Sequence, residues 1–230
     1  MAAAGSGERL GAGGPKAFVP VGGRPMVDWS LDAFRGCESV RSIVVAAPPG
    51  YLGDLGGHDL GVVPGGTTRA QSVANALATV GTAYVAVHDA ARPLLTPALV
   101  EALVADLDAD EEAAGVIAAA PVDETIKRVV EESSVNLSTS EVPNRTLRIQ
   151  TTEDRTRLWR AQTPQVFRTD RLREALAASK RPEEATDEAM LVEAAGGTVL
   201  LHPVVEPNVK VTTPLDLRVA ELLLAGRTRA

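Results

Sequence analysis

The chain has 230 residues, 45% of them hydrophobic, and a net charge of −7, with a pI near 5.1. That is enough apolar material for a sizeable core, as one large α/β domain or one domain plus an appendage. The acidic balance argues against nucleic acid or an anionic membrane as the main partner, so any phosphate site must be a local basic cluster. The single cysteine, Cys37, excludes an internal disulfide and a Cys-based zinc site. No apolar run approaches the roughly 18 residues of a membrane span. No signal peptide is recognisable either, and the expected location is cytoplasmic.

The first eighteen residues, MAAAGSGERLGAGGPKAF, hold Gly5, Gly7, Gly11, Gly13 and Gly14 and then Pro15-Lys16. Glycines let backbone N–H groups turn inward without a Cβ in the way, which suits a cradle for phosphate oxygens. Arg9 and Lys16 add two positive charges, so a polyphosphate is the expected guest. A Walker A loop is excluded, because Lys16 follows Pro15 and precedes Ala17. The dinucleotide fingerprint G-x-G-x-x-G fits poorly after Gly7. The pattern A-A-G-x-G-x-R followed by P-K fits Ala3, Ala4, Gly5, Gly7, Arg9, Pro15 and Lys16. In α/β nucleotide-binding folds such a loop follows a buried strand. Here nothing precedes it except Met1, so a clipped or mis-assigned start is expected.

Further along, Val19 to Pro25 reads as a turn-rich connection, and Met26, Trp29, Leu31, Ala33 and Phe34 as a helix. Residues 42–47 read as a buried parallel strand ended by Pro48-Pro49. Val62-Val63 is a short strand. Thr68 and Gln71 form a capping box for the next helix, whose stripe is Val73, Ala76, Leu77 and Val80. Residues 84–89 are a strand, about 97–107 a helix, and 115–120 another strand. The alternation predicts an α/β, Rossmann-like fold: a twisted, mostly parallel sheet with helices on both faces. Asp89 would project into the crevice beyond the carboxyl ends of the strands.

The rhythm breaks between Val122 and Arg155. Residues 125–130 and 146–151 read as two strands of a protruding β-hairpin arm with a polar tip. An arm without a core of its own must pack on something, which suggests a dimer. The organisation is therefore a single domain over 1–230 with a dimerisation arm at about 125–152. Residues 158–165 lead to a helix over 170–179. Thr186-Asp187 caps a further helix, 198–201 is a strand, 209–212 a short edge element, and Thr213-Pro214 starts the last helix. Trp29 and Trp159 are expected in the core, and His88 packed beside Asp89.

Eight motifs stand in order: AAGSGERL…PK, GGTTRAQSV, HDAARP, PVDETIKR, Glu153-Asp154-Arg155, QTPQVF, TDEA and NVKVTTPLDL. Together the chain resembles the 2-C-methyl-D-erythritol 4-phosphate cytidylyltransferases, nucleotidyltransferases of the non-mevalonate isoprenoid pathway. Two departures stand out: the family's first strand is missing, and the arm between Arg128 and Asp154 is longer than usual. The resemblance implies that CTP and methylerythritol phosphate give CDP-methylerythritol and pyrophosphate, with Mg2+ held mainly by phosphate oxygens. It implies catalytic roles for Arg9, Lys16, Arg155 and Lys210. Nucleotide contacts would come from Ala3, Ala4, Gly5, Gly7, Gly66, Ser72 and Ala90, with Ser72 near cytosine or ribose. The acceptor would be bound by Asp89, Thr125, Arg155, Thr163, Thr186 and Lys210. Thr125 and Arg155 stand at the roots of the arm and would serve the neighbour's site in a homodimer. Rival readings are a ribitol-5-phosphate cytidylyltransferase and an inactive nucleotide-binding protein lacking its first strand. A NAD-binding Rossmann protein is a poor third.

Overall fold

A computed structural model describes residues 1–5, 7, 10, 14–53, 55, 60–130 and 146–227. Two compact units are present: residues 1–119 with 162–230, and residues 120–161. Arg9 and most of the arm tip lie outside the described residues.

In the larger unit the chain enters as an extended stub, Met1–Ala3, then the glycine loop and a 3-10 turn over Lys16–Phe18. The expected turn-rich connection is a small hairpin, β1 (Pro20–Val21) and β2 (Arg24–Pro25). Gly22 and Gly23 both take positive φ, 60° and 83°, as a two-residue hairpin turn of this hand requires. There follow α1 (Met26–Arg35), β3 (Ile43–Ala47), β4 (Leu60–Pro64), α2 (Arg69–Leu77), β5 (Tyr84–Val87), α3 (Pro97–Ala109) and β6 (Ala113–Pro121). After the smaller unit come β9 (Trp159–Arg168), α4 (Thr169–Ala178), α5 (Glu188–Ala194), β10 (Thr198–Pro203) and α6 (Pro214–Arg227).

The sheet is mixed, where a mostly parallel one was expected. β3–β4 form a separate two-stranded parallel sheet; in the four-stranded sheet β10–β6 is parallel, but β5 and β9 run antiparallel. β9 lies between β6 and β5. It was not expected as a strand, because polar Gln162, Thr163 and Gln165 flank a proline with no ladder donor. Those polar groups turn out to be satisfied internally, as described below. Residues 209–212 form no strand. Val211 makes one rung, its N–H donating to Ala91 O at 2.8 Å.

Helices cover both faces, as expected. Val166 and Phe167, neighbours on β9, point oppositely and define two layers. Val166 packs with Leu103 and Leu107 of α3. Phe167 packs with Val73, Leu172 and Leu191 of α2, α4 and α5. The caps follow the sequence. Thr68 accepts from Gln71 N–H at 3.1 Å, although Gln71 reaches back to Thr67 N–H and not to the cap's own. Asp187 caps α5, and Thr213 caps α6. Cys37 is buried and unpaired with another thiol, and burial pushes its thiol up to about 11.

In the smaller unit, β7 (Lys127–Val129) and β8 (Ile149–Thr152) pair antiparallel. Arg128 pairs with Glu153 at 2.6 Å. Ile126, Val130, Ile149 and Trp159 are all exposed, Ile149 at 58% and Trp159 at 39%. Trp159 is thus not the core residue expected, since β9 passes out of the larger unit at that end.

Close packing fixes some positions tightly. A Cβ on Gly115 would lie 2.2 Å from Phe167 Cδ1 and 3.1 Å from Val166 O. Gly115→Ala should therefore destabilise by about 1–3 kcal/mol, since the fully buried ring cannot move aside. Gly81→Ala, where a Cβ meets nothing within 4 Å, is the control. Urea unfolding of both variants checks this, and equal stabilities would contradict the packing account.

Candidate active site

The stub delivers the glycine loop to the carboxyl end of β5. Ala2 N–H donates to His88 O at 2.8 Å and Ala90 N–H to Ala2 O at 3.1 Å, while Ala3 N–H donates to Ala46 O at 2.9 Å. Lys16 N–H closes the loop onto Gly5 O at 3.0 Å. Gly7 sits at φ 75°, with Gly14 O and Lys16 N each 3.1 Å from where a Cβ would stand. Only glycine fits there, so Gly7 lies tight against Gly14 and Lys16, and Lys16 is half-buried.

The second wall is the N-terminus of α2. A Cβ on Gly65 would be 2.2 Å from Ala4 Cβ, so loop and α2 approach as closely as glycine permits. Ser72 is buried. Its hydroxyl accepts from Gly66 N–H at 3.0 Å and donates to Thr68 O at 2.9 Å. Ala3, Ala4, Gly66, Ser72 and Ala90 are thereby gathered around the loop. Gly5 is exposed at its outer side.

At the centre stands Asp89. Its Oδ1 accepts from Arg69 Nε at 2.9 Å and its Oδ2 from Lys210 Nζ at 2.5 Å. Arg69 also makes a bidentate pair with Glu188, at 2.6 and 2.9 Å. Burial alone would raise the Asp89 carboxyl, but Arg69 and Lys210 outweigh it and hold the group far below the usual carboxylate range. Burial works against the Arg69 charge, yet Asp89 and Glu188 keep it protonated beyond the normal guanidinium value. Burial pushes Glu188, 1% exposed, upward, and Arg69 offsets this only in part. Two carboxylates and two cations thus form one neutral cluster.

His88 backs it, fully buried. Burial lowers its pKa to about 3, against an upward pull from Asp89, so it is neutral. Nε2 lies 3.2 Å from Arg92 O, a pure acceptor, which places the proton on Nε2. Nδ1 must then accept, from Thr163 Oγ1 at 3.1 Å, and Thr163 Oγ1 in turn accepts from Asp89 N–H at 3.1 Å. The Thr163 hydroxyl is therefore spent inward, 4% exposed. Gln165, on the same strand, donates to Asp187 at 2.9 Å and accepts from Ala189 N–H at 3.3 Å, which fixes the start of α5 and hence Glu188. Gln162 accepts from Asn208, two residues before Lys210, at 2.9 Å.

Arg69 and Glu188 were not singled out in the sequence, although a physical signal existed for the first. Arg69 opens α2, where the helix dipole disfavours a cation, so carboxylates had to be near. Thr186 is exposed beside the α5 cap. Thr125 and Arg155 belong to the smaller unit, where both are exposed and Arg155 Nη1 donates to Asp123 O.

A glycine loop bearing a lysine, beside a carboxylate–cation cluster beyond the strand ends of an α/β sheet, defines a nucleotidyltransferase-type site. Comparison with known proteins gives the particular family. The IspD family model, 2-C-methyl-D-erythritol 4-phosphate cytidylyltransferase, matches residues 1–226. An enzyme of that description from Saccharopolyspora erythraea is 40% identical over 234 residues, covering 97% of this chain and 96% of its own. One from Synechococcus sp. (strain CC9902) is 37% identical over 237 residues, covering 99% and 97%. The crystal structure of the Thermus thermophilus enzyme superposes with a TM-score of 0.74 at 35% identity, covering 93% of this chain and 95% of that one. The chain belongs to the 2-C-methyl-D-erythritol 4-phosphate cytidylyltransferase family.

The state of His88 has a consequence for stability. Its folded pKa, about 3, lies below its ordinary 6.5. Above 6.5 the ring is neutral folded and unfolded, and stability is full. Below 6.5 the unfolded chain takes up a proton that the folded one refuses, so stability falls with pH down to about 3. Urea unfolding between about pH 7 and pH 4 should show that fall, and it should be shallower in His88→Gln. Equal slopes would contradict a buried neutral imidazole.

Proposed function

We infer that this chain transfers the cytidylyl group of CTP to 2-C-methyl-D-erythritol 4-phosphate, releasing pyrophosphate. What carries the reading is the family match over residues 1–226, joined to a site whose charges suit the reaction. The nucleophile is a phosphate oxygen of the acceptor, largely ionised near neutral pH because its second pKa is about 6. It attacks the α-phosphorus of CTP in line. The new P–O bond forms as the bond to the β-phosphate oxygen breaks, and pyrophosphate leaves with that electron pair. No general base is needed, which agrees with a His88 that is neutral and sealed. The barrier is the repulsion between two anions, so catalysis is charge neutralisation and positioning.

Lys16, and Arg9 earlier in the same loop, bind the triphosphate and take up charge at the α-phosphate. Glycines 5, 7 and 66 with Ala3, Ala4 and Ala90 shape the nucleotide pocket. Ser72 sets the Gly66 backbone that faces the base or ribose. Asp89 accepts from acceptor hydroxyls with the lone pairs Arg69 and Lys210 leave it. Lys210 has three donors, spends one on Asp89, and has a side chain 42% exposed, so it can turn to the acceptor phosphate. Thr163 and Arg69 act through Asp89 as positioning residues, and Thr186 lies at the rim. Thr125 and Arg155 serve a partner's site across a homodimer built on the arm, whose exposed Ile126, Val130 and Ile149 are an apolar surface of the kind that associates.

Magnesium would be held mainly by the phosphate oxygens of the nucleotide. Among the described residues no three His, Cys, Asp or Glu side chains converge on a metal site, and both Asp89 oxygens are engaged. Such an ion, held by phosphate oxygens and water, would supply charge neutralisation. Among the described residues no helix is long and apolar enough to cross a membrane. Both substrates of the reaction are water-soluble polyanions, and the reading places their meeting in the cytoplasm.

Pyrophosphate release with CTP, Mg2+ and methylerythritol phosphate tests the reading. Turnover should require that acceptor and should fall by about 10² or more in Lys16→Ala, as when one preorganised charge contact is lost. Release only with ribitol 5-phosphate would move the acceptor, and no release from folded protein would sink the enzyme reading. For the arm, sedimentation of Ile149→Asp should give a monomer where the unaltered chain gives a dimer. A monomer in both cases would remove the arm from assembly.

A further inference from the structure

Lys210 stands in a stretch that belongs to neither β10 nor α6, yet its ammonium meets Asp89 at 2.5 Å. A lysine side chain is long and rich in rotamers, so its charge is well placed only if its backbone is. That backbone is held on both sides. Val211, fully buried, donates its N–H to Ala91 O at 2.8 Å. On the other side Asn208, 5% exposed, is fixed through both its carbonyl and its side chain. Arg92 Nη1 donates to the Asn208 carbonyl at 2.7 Å. Asn208 Nδ2 donates to Thr163 O and to Gln162 Oε1, each at 2.9 Å. The Thr163 carbonyl can only accept, so it settles which way the Asn208 amide points. Both Nδ2 hydrogens are spent, while Oδ1 takes no partner among the described residues. The structure therefore uses this side chain as a double donor.

Both anchors of Asn208 lead back to Asp89. Thr163, whose carbonyl takes Asn208 Nδ2, accepts the Asp89 N–H on its hydroxyl at 3.1 Å. Arg92, which holds the Asn208 carbonyl, donates its own backbone N–H to Asp89 O at 3.0 Å. Asn208 thus closes a ring that starts and ends at the Asp89 backbone, and Lys210 follows two residues further on. We propose that Asn208 is a positioning residue for the transfer reaction: it sets the Lys210 ammonium against Asp89 by binding the same two residues that hold the Asp89 backbone. The inference rests on the cytidylyl transfer assigned above, and adds to it a buried residue that acts through Lys210.

Asparagine is the one small side chain that carries two hydrogens on a single atom; serine donates once and aspartate not at all. Asn208→Asp keeps the shape, and its segment stays tied to the Arg92 guanidinium, which can answer the new charge. The carboxylate nevertheless faces Thr163 O with no hydrogen to give, and Gln162 alone can respond by turning its amide. Two acceptors forced together at a buried position relieve their repulsion by moving apart. The segment moves, and Lys210 moves with it.

The test reads steady-state kinetics together with the nitrogen-15 NMR signal of the Lys210 ammonium, identified by its loss in Lys210→Met. Asn208→Asp and Asn208→Ser are each made alone and combined with Lys210→Met. Alone, each should lower kcat/KM for methylerythritol phosphate roughly tenfold or more, as when buried hydrogen bonds are left unmade, with KM for CTP unchanged and the Lys210 signal shifted. In the Lys210→Met background the same substitutions should change kcat/KM by less than about twofold, since the residue through which they act is gone. Equal losses in the two backgrounds, or an unmoved Lys210 signal, would overturn the proposal. A shifted signal in a chain that turns over no methylerythritol phosphate would support the brace on Lys210 and count against the reaction assigned above.

Discussion

A carboxylate buried at the end of a strand is tolerable only when its charge is matched, and Asp89 is matched twice. Arg69 holds one oxygen and Lys210 the other. Coulombic attraction in a half-dry setting is strong, but so is the penalty for burying charge, and such groups persist only when nearly every donor and acceptor is used. Here that condition is met by reaching across the chain. Arg69 comes from α2, Glu188 from α5, Lys210 from the segment after β10, and Asp89 from the end of β5. The cluster therefore forms only when four elements are in place.

The surrounding structure serves this cluster more than it serves a generic core. Thr163 ties the Asp89 backbone to a neutral His88, Gln165 sets the start of α5, and Gln162 holds Asn208 near Lys210. β9 thus presents alternating polar side chains to the site while Val166 and Phe167 fill the two hydrophobic layers. The glycine loop meets the cluster through three residues of stub.

Much of this was legible in the sequence. Short apolar runs gave β3, β5 and β6, because strands covered on both faces need no polar side chain. Thr68, Asp187 and Thr213 marked helix starts through their hydroxyl or carboxylate caps. Asp89 could be placed at the strand end because it follows Tyr84–Val87 directly. Other features were hidden by long-range pairing. β9 looked polar because its partners, His88, Asp187 and Asn208, lie 20 or more residues away along the chain. The antiparallel β5–β9 contact has no local signature. Trp159 looked like core by residue type, yet it lies where β9 leaves the larger unit. Thr163 reads as a substrate contact from its motif, while its hydroxyl points inward.

The central claim is that Asp89 and Lys210 act as one preorganised pair that presents a cation to the acceptor phosphate and a carboxylate to its hydroxyls. A double-mutant cycle on kcat/KM for methylerythritol phosphate, with Asp89→Asn, Lys210→Met and the double variant, addresses it directly. The account predicts strong non-additivity, a coupling of about 0.5–3 kcal/mol, since either single change leaves its partner mispositioned. Losses that simply add would mean that the two residues act independently, and would contradict it.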